Sequence, residues 1–140
     1  EWLGNRKWDL IHFNFGLWDW YGWSQDTKAT PESYSKSLNN IVQKLKKSEA
    51  TLVFAMTTPP CVGPEKKARI TVSKARAQEF NQAALRVMKK HGVVVNDLYV
   101  LIENEREKYQ LGKNNVHYNE AERDLLATQV AKVIKEQLSQ

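Results

Sequence analysis

The chain has 140 residues, of which 41% are hydrophobic and 26% charged, with a net charge of +5. That length and balance suit one soluble globular domain with a sizeable core, spanning 1–140. The lone Cys61 excludes an internal disulfide and a cysteine-built metal cluster, and no apolar run reaches the roughly 18 residues of a membrane span.

A basic balance raises the question of a nucleic-acid partner. Here the Lys and Arg residues are interspersed with Glu in stretches such as "QKLKKSE" and "ENEREKYQ". That is the pattern of a solvated helix face, so no nucleic-acid partner is expected.

The first element is Asp9–Phe15, "DLIHFNF", a short apolar run stopped by Gly16, which reads as a buried strand. An aromatic loop, "GLWDWYGW", follows. Thr30 then offers an N-cap with Pro31 at the first helical position, and Tyr34, Leu38, Ile41, Val42 and Leu45 recur at helical spacing. "TLVFAM" (Thr51–Met56) reads as a second buried strand, closed by "TTPPCVGP", which no ladder continues through. A long helix is expected over Thr71–His91, with Phe80, Ala84, Val87 and Met88 inward and Gly92 ending it.

"VVVND" reads as a third strand, and "LYVLIENEREKYQ" as a short helix or helical turn. After the loop "LGKNNVHYN" comes a closing amphipathic helix with Leu126, Val130, Val133 and Ile134 inward. Continuous apolar strands alternating with helices predict parallel βαβ units with helices on both faces. Ligand chemistry in such sheets gathers past the carboxyl ends of the strands. The unusual loops lie at that edge, and the loop holding His117 is placed to reach it.

Among candidate chemical groups, His117 has the side chain that exchanges a proton near neutral pH, which suits a general base. Its bland counterpart is a structural histidine beside a capped helix. His12, His91 and His117 lie far apart in sequence and no pair has helical ligand spacing, so no metal and no other cofactor is expected. Trp18, Trp20, Tyr21 and Trp23 offer flat faces that stack on sugar rings, or they cap the core. Ser24 and Ser33 read as loop or helix-start hydroxyls, and Cys61 as a plain thiol.

Taken in order, "DLIHFNFGLWD", "FAMTTP", "VNDLY" and "NNVHYNEAE" resemble the SGNH (GDSL-type) hydrolases, and are similar to a bacterial branch whose first of these blocks reads "HFNFGLHD". The resemblance spans nearly all of the chain. It implies a flavodoxin-like, three-layer α/β/α fold and hydrolysis of esters, with a small-molecule or carbohydrate ester as substrate and a secreted or periplasmic setting as one option. It also implies site residues. His117 falls at the catalytic His, and Asn114 at the Asp of "DxxH", where an amide can orient the ring but cannot neutralise its cation; the alternative is a turn Asn.

The family's "GxND" falls on Gly16, Leu17, Trp18 and Asp19. Trp18 therefore stands where an oxyanion donor belongs, and an indole N–H can donate one bond; simple packing is the alternative. Asp19 is expected to brace the loop, Asn14 to be a buried structural amide, and Gly16, Asp19, Trp20 and Trp23 to border the substrate. The family's nucleophilic Ser, in a "GDS" block, corresponds to sequence ahead of residue 1, so the resemblance covers the last two-thirds of such a domain. The strand "LIHFNF" would then expose an apolar edge, to be covered by an N-terminal segment or by a second copy in a homodimer. A second reading is a degenerate site that binds carbohydrate or a protein partner through the Trp-rich loop.

Overall fold

The computed structural model describes residues 3–21, 29–60, 73–111 and 117–140. Among them, three parallel strands form one sheet in the order β1 (Leu10–Phe13), β2 (Thr51–Ala55), β3 (Val94–Asn96). Leu10 pairs with Thr51 and Phe13 with Phe54, while Val53 pairs with Val94 and Ala55 with Asn96. β2 is central and almost wholly buried; β1 is half-buried along its length and, among the described residues, has a partner on one side only. Each strand is a residue or more shorter than its apolar run, because side chains beyond the ladder pack without pairing.

Register sorts the strand side chains onto two faces. Leu52, Phe54 and Met56 meet α2 (Pro31–Leu45) and α3 (Lys74–His91) in one apolar core with Leu38, Val42, Phe80 and Met88. α2 starts at a capping box in which Thr30 and Ser33 bond reciprocally, so Ser33 is a helix-start hydroxyl. Ser73 caps α3, and Gly92 ends it at φ 65, a left-handed conformation that costs a glycine little.

The opposite face carries Leu10, His12, Val53, Ala55, Val94 and Asn96 by the same register. α6 (Glu120–Leu138) covers it: Gln129 Nε2 donates to Asn96 Oδ1 at 3.2 Å. Its last turns share a cleft, through Gln137, with Thr51 and Val94 at the start of the strands. Near its other end, Tyr118 donates to the Pro59 carbonyl past the end of β2, at 3.0 Å. α6 therefore runs antiparallel to the strands, and helices flank both faces of a three-layer α/β/α fold of flavodoxin-like type.

Two expectations need correction. Leu126, Val130, Val133 and Ile134 are only half-buried, and the one fully buried side chain of α6 is Glu122. The helix crosses a narrow three-stranded sheet that cannot cover a whole apolar stripe. The "aromatic loop" also opens as a helix, α1 (Leu17–Tyr21), whose Trp20 N–H donates to the Gly16 carbonyl at 2.9 Å. The segment after β3 divides into α4 (Leu98–Glu103), capped by Asp97, and α5 (Arg106–Tyr109).

Along the open side of β1, Ile11, Phe13 and Phe15 face Ile41 and Leu45 of α2 across an apolar groove of about 680 Å³. α2 thus overhangs space beside the edge strand. No helix among the described residues is long and apolar enough to cross a membrane.

Candidate active site

The carboxyl end of β1 turns sharply into α1 at Gly16. Its φ of 151° suits glycine alone, and a Cβ there would lie 2.6 Å from Thr57 Oγ1 and 3.1 Å from the Tyr34 hydroxyl. Four side chains define this turn. Tyr34 donates its hydroxyl to the Phe15 carbonyl at 2.7 Å. Asn14 Nδ2 donates to the Ala55 carbonyl at 2.7 Å and to Thr57 Oγ1 at 3.0 Å, stitching the end of β1 to that of β2. Asn14 is a structural amide as expected, but exposed rather than buried, since it lies beyond the ladder on the open edge. Trp20 fills the space beneath, 2% exposed, with its indole N–H close to Gly16 and without a hydrogen-bond partner among the described residues.

The electrostatics follow from burial. Desolvation raises the Tyr34 phenol, and the nearby Asp19 adds to the effect, so the hydroxyl remains a donor. Asp19, half-buried, is itself pushed above the ordinary carboxylate range by burial, opposed by a backbone hydrogen bond.

The residues singled out by sequence fall as follows. Gly16 is buried at the turn, and Trp18 projects from α1 with 54% of its surface exposed. Trp20 belongs to the core, so its ring faces are covered and do not stack on a ligand in this arrangement. His117 is exposed, in the segment entering α6, and its carbonyl accepts from the Leu111 N–H at 3.0 Å. That segment is tied to the rim by Tyr118 on Pro59, two residues past the Thr57 that abuts Gly16, while Gln110 donates to the Pro60 carbonyl at 3.3 Å. Trp23, Ser24, Cys61 and Asn114 lie outside the described residues. No group of three or more His, Cys, Asp or Glu side chains able to hold a metal occurs among the described residues.

Two residues at this rim went unmarked in the sequence. Arg76, at the start of α3, donates Nε to the Trp20 carbonyl and Nη2 to the Ala29 carbonyl, each at 2.8 Å. Its signal was the Ser73 cap, which fixes Arg76 through its backbone N–H, and an aromatic four residues on, Phe80, over which the guanidinium lies at 4.7 Å. Glu122, one turn into α6, is fully buried with neither carboxylate oxygen partnered among the described residues, and burial raises its pKa to about 7. Nothing in "NEAERD" distinguishes it from an acidic residue favoured by a helix N-terminus.

Several solved structures of similar fold carry the names of lipases or esterases. A lipase/acylhydrolase from Enterococcus faecalis superimposes with a TM-score of 0.71 at 20% identity, over 92% of this chain and 62% of that one. An acetyl xylan esterase gives 0.68 at 16% identity, over 90% and 67%. A peptidoglycan O-acetylesterase gives 0.69 at 14% identity, over 94% and 38%. The chain thus spans about three-fifths of the length of the Enterococcus protein. Comparison with curated proteins gives no significant sequence match. Residues 2–122, from ahead of β1 into α6, match the family profile as a continuous stretch, and the chain belongs to the GDSL-like lipase/acylhydrolase family.

Proposed function

We propose that this chain is the part of an ester hydrolase that carries the general base and one wall of the substrate site. The observation that supports it is the meeting at one rim of the Gly16 turn, the segment after β2 and the segment bearing His117, through Thr57 and the Tyr118–Pro59 bond. In this reading His117 takes the proton from a serine hydroxyl as that oxygen attacks the ester carbonyl. It then returns the proton to the departing alcohol oxygen, leaving an acyl-serine that water cleaves in a second round. The tetrahedral oxyanion is met by backbone N–H groups of the turn, and the exposed ring of Trp18 faces the alcohol side of the substrate. Asn114 orients the imidazole, and Gly16, Asp19 and Trp23 border the substrate.

The serine comes from polypeptide outside these 140 residues. The open edge of β1 supports that, because β1 runs directly into the Gly16 turn, and its groove is apolar and unfilled among the described residues. A strand of that further polypeptide, added there, places its tip beside the rim, whereas a second copy would cover the edge without supplying the serine. Measuring solution mass tests this: a clean, soluble 16.2 kDa monomer counts against it. The chain alone is expected to be weakly active or inactive.

The catalytic assignment is tested by p-nitrophenyl acetate hydrolysis with the chain and with His117→Ala, each alone and supplemented with the serine-bearing portion. A rate that falls by orders of magnitude in the variant supports the base. Equal rates in every mixture retire it.

A second reading has an observation of its own: Trp18 presents an exposed ring at the rim. A site that recognises carbohydrate without cleaving it would use that face. Glycan-array binding that disappears in Trp18→Ala, with no ester turnover, favours it over hydrolysis.

A further inference from the structure

The contacts around Arg76 close on themselves. Its guanidinium lies over Phe80, whose ring packs on Tyr34 at 5.2 Å. Tyr34 holds the Phe15 carbonyl and abuts Gly16. The Gly16 carbonyl accepts from Trp20, and the Trp20 carbonyl accepts from Arg76 Nε, which completes the circuit. The second arm, Nη2 on Ala29, joins the start of α2 to the end of α1. α1 has five residues, too few to hold its orientation by its own hydrogen bonds. Its direction, and with it that of Trp18, is therefore imposed from outside, and Arg76 is the charged group that grips its carboxyl end.

Among the described residues no carboxylate pairs with Arg76; its cation is spent on two backbone carbonyls and an aromatic face. Such charge-assisted bonds exceed neutral ones in strength, and the planar fork reaches two carbonyls at once, which an ammonium on a flexible stem does not.

We propose that Arg76 is a positioning residue for substrate recognition: by gripping α1 it sets the angle at which Trp18 meets the non-acyl part of the substrate, a sugar ring in the esterase reading on which this rests. It touches no reacting atom, so its loss acts on binding rather than on the chemical step. The consequence is coupling between Arg76 and Trp18 rather than independent effects.

The experiment compares wild type, Arg76→Met, Arg76→Lys, Trp18→Ala and the Arg76→Met/Trp18→Ala double variant. It measures melting temperature, the Kd for an acetylated xylo-oligosaccharide by calorimetry, and kcat and KM on the same compound in the presence of the serine-bearing portion. Arg76→Met is expected to weaken Kd and KM about tenfold, the scale of one charge-assisted bond, with kcat within about twofold. Lys recovers only part of the loss, and the double variant binds no worse than Trp18→Ala. Losses that add in the double variant, or a fall in kcat and melting temperature with KM unchanged, reduce Arg76 to a structural brace and overturn the proposal. Wild-type binding without turnover defeats the esterase reading, while the Kd series still decides on Arg76. Neither binding nor turnover by wild type overturns both.

Discussion

The two faces of the sheet are built on different principles. Toward α2 and α3, Leu52, Phe54, Val42, Phe80 and Met88 interlock with almost no exposed surface, and Asn81 lies at the upper margin with its amide 3.4 Å from the Thr57 carbonyl. Toward α6, the sheet offers His12 and Asn96 among its apolar residues, and α6 answers with Gln129 and Glu122. Here His12 Nε2, Asn96 Nδ2 and both Glu122 oxygens are buried without partners among the described residues, and the apolar stripe is half-open. Dense apolar packing supplies stability. Unpaired buried polar groups subtract from it, so the second face is held for another reason. It carries the helix that positions the His117 segment.

The largest expected effect therefore lies on the first face. Phe54 is fully buried between β2 and the α2–α3 layer, so Phe54→Ala should cost about 3–5 kcal/mol, measured by urea unfolding. A loss near 1 kcal/mol would mean that this face is far looser than its burial implies. Next is the turn at the rim. Gly16→Ala forces a methyl to within 2.6 Å of Thr57 Oγ1 at a φ that alanine avoids, and should cost about 2–3 kcal/mol. The same variant should lose ester or sugar recognition, since α1 begins at the displaced residue. Full recognition in Gly16→Ala would separate the turn from the site.

Glu122 sharpens the contrast through pH. Its folded pKa of about 7 lies above the ordinary 4.5, and burial is the cause. The unfolded chain therefore releases this proton first as pH rises. The group favours unfolding progressively between pH 4.5 and about 7, and its penalty is constant above that. Glu122→Gln should leave stability unchanged near pH 4 and raise it at pH 8 by about 1–2 kcal/mol, less than the full shift because a buried amide also lacks partners. Thermal melts at the two pH values check this; equal gains at both would mean that ionisation is not involved. His12 works in the opposite sense. Burial lowers its pKa from 6.5, so its contribution is intact above pH 6.5 and is lost as pH falls below it.

Sequence carried the first face almost completely and the second poorly, for a physical reason. Apolar runs such as "TLVFAM" and the helical spacing of Leu38 and Val42 state their own burial, because a parallel sheet demands continuous hydrophobicity and an amphipathic helix demands a period. Caps at Thr30 and Gly92 were local as well. Glu122, by contrast, is buried by what α6 lies against, which no local pattern encodes. Arg76 takes its role from carbonyls on two other segments, and Trp20 differs from Trp18 only in which side of a five-residue helix it occupies. At the rim, the Gly16 turn was legible because an apolar strand stopped at a glycine; the grip on α1 was not, because it is wholly tertiary.

The smallest effect is the most direct test of the contrast. Val42 and Val133 are the same residue on the two faces, one fully buried and the other half-exposed. Truncating a valine removes two methyl groups, worth about 0.8 kcal/mol each when fully buried. Val42→Ala should thus cost about 2 kcal/mol once the residual cavity is included, and Val133→Ala about half that or less. If Val133→Ala proves as costly as Val42→Ala, the stripe on α6 is sealed in solution by further polypeptide. A Val133 cost that rises with protein concentration would identify that cover as a second copy, since association adds to stability by mass action. A concentration-independent half-cost would leave the face open, and would make the unpaired Glu122 and His12 features of the chain itself.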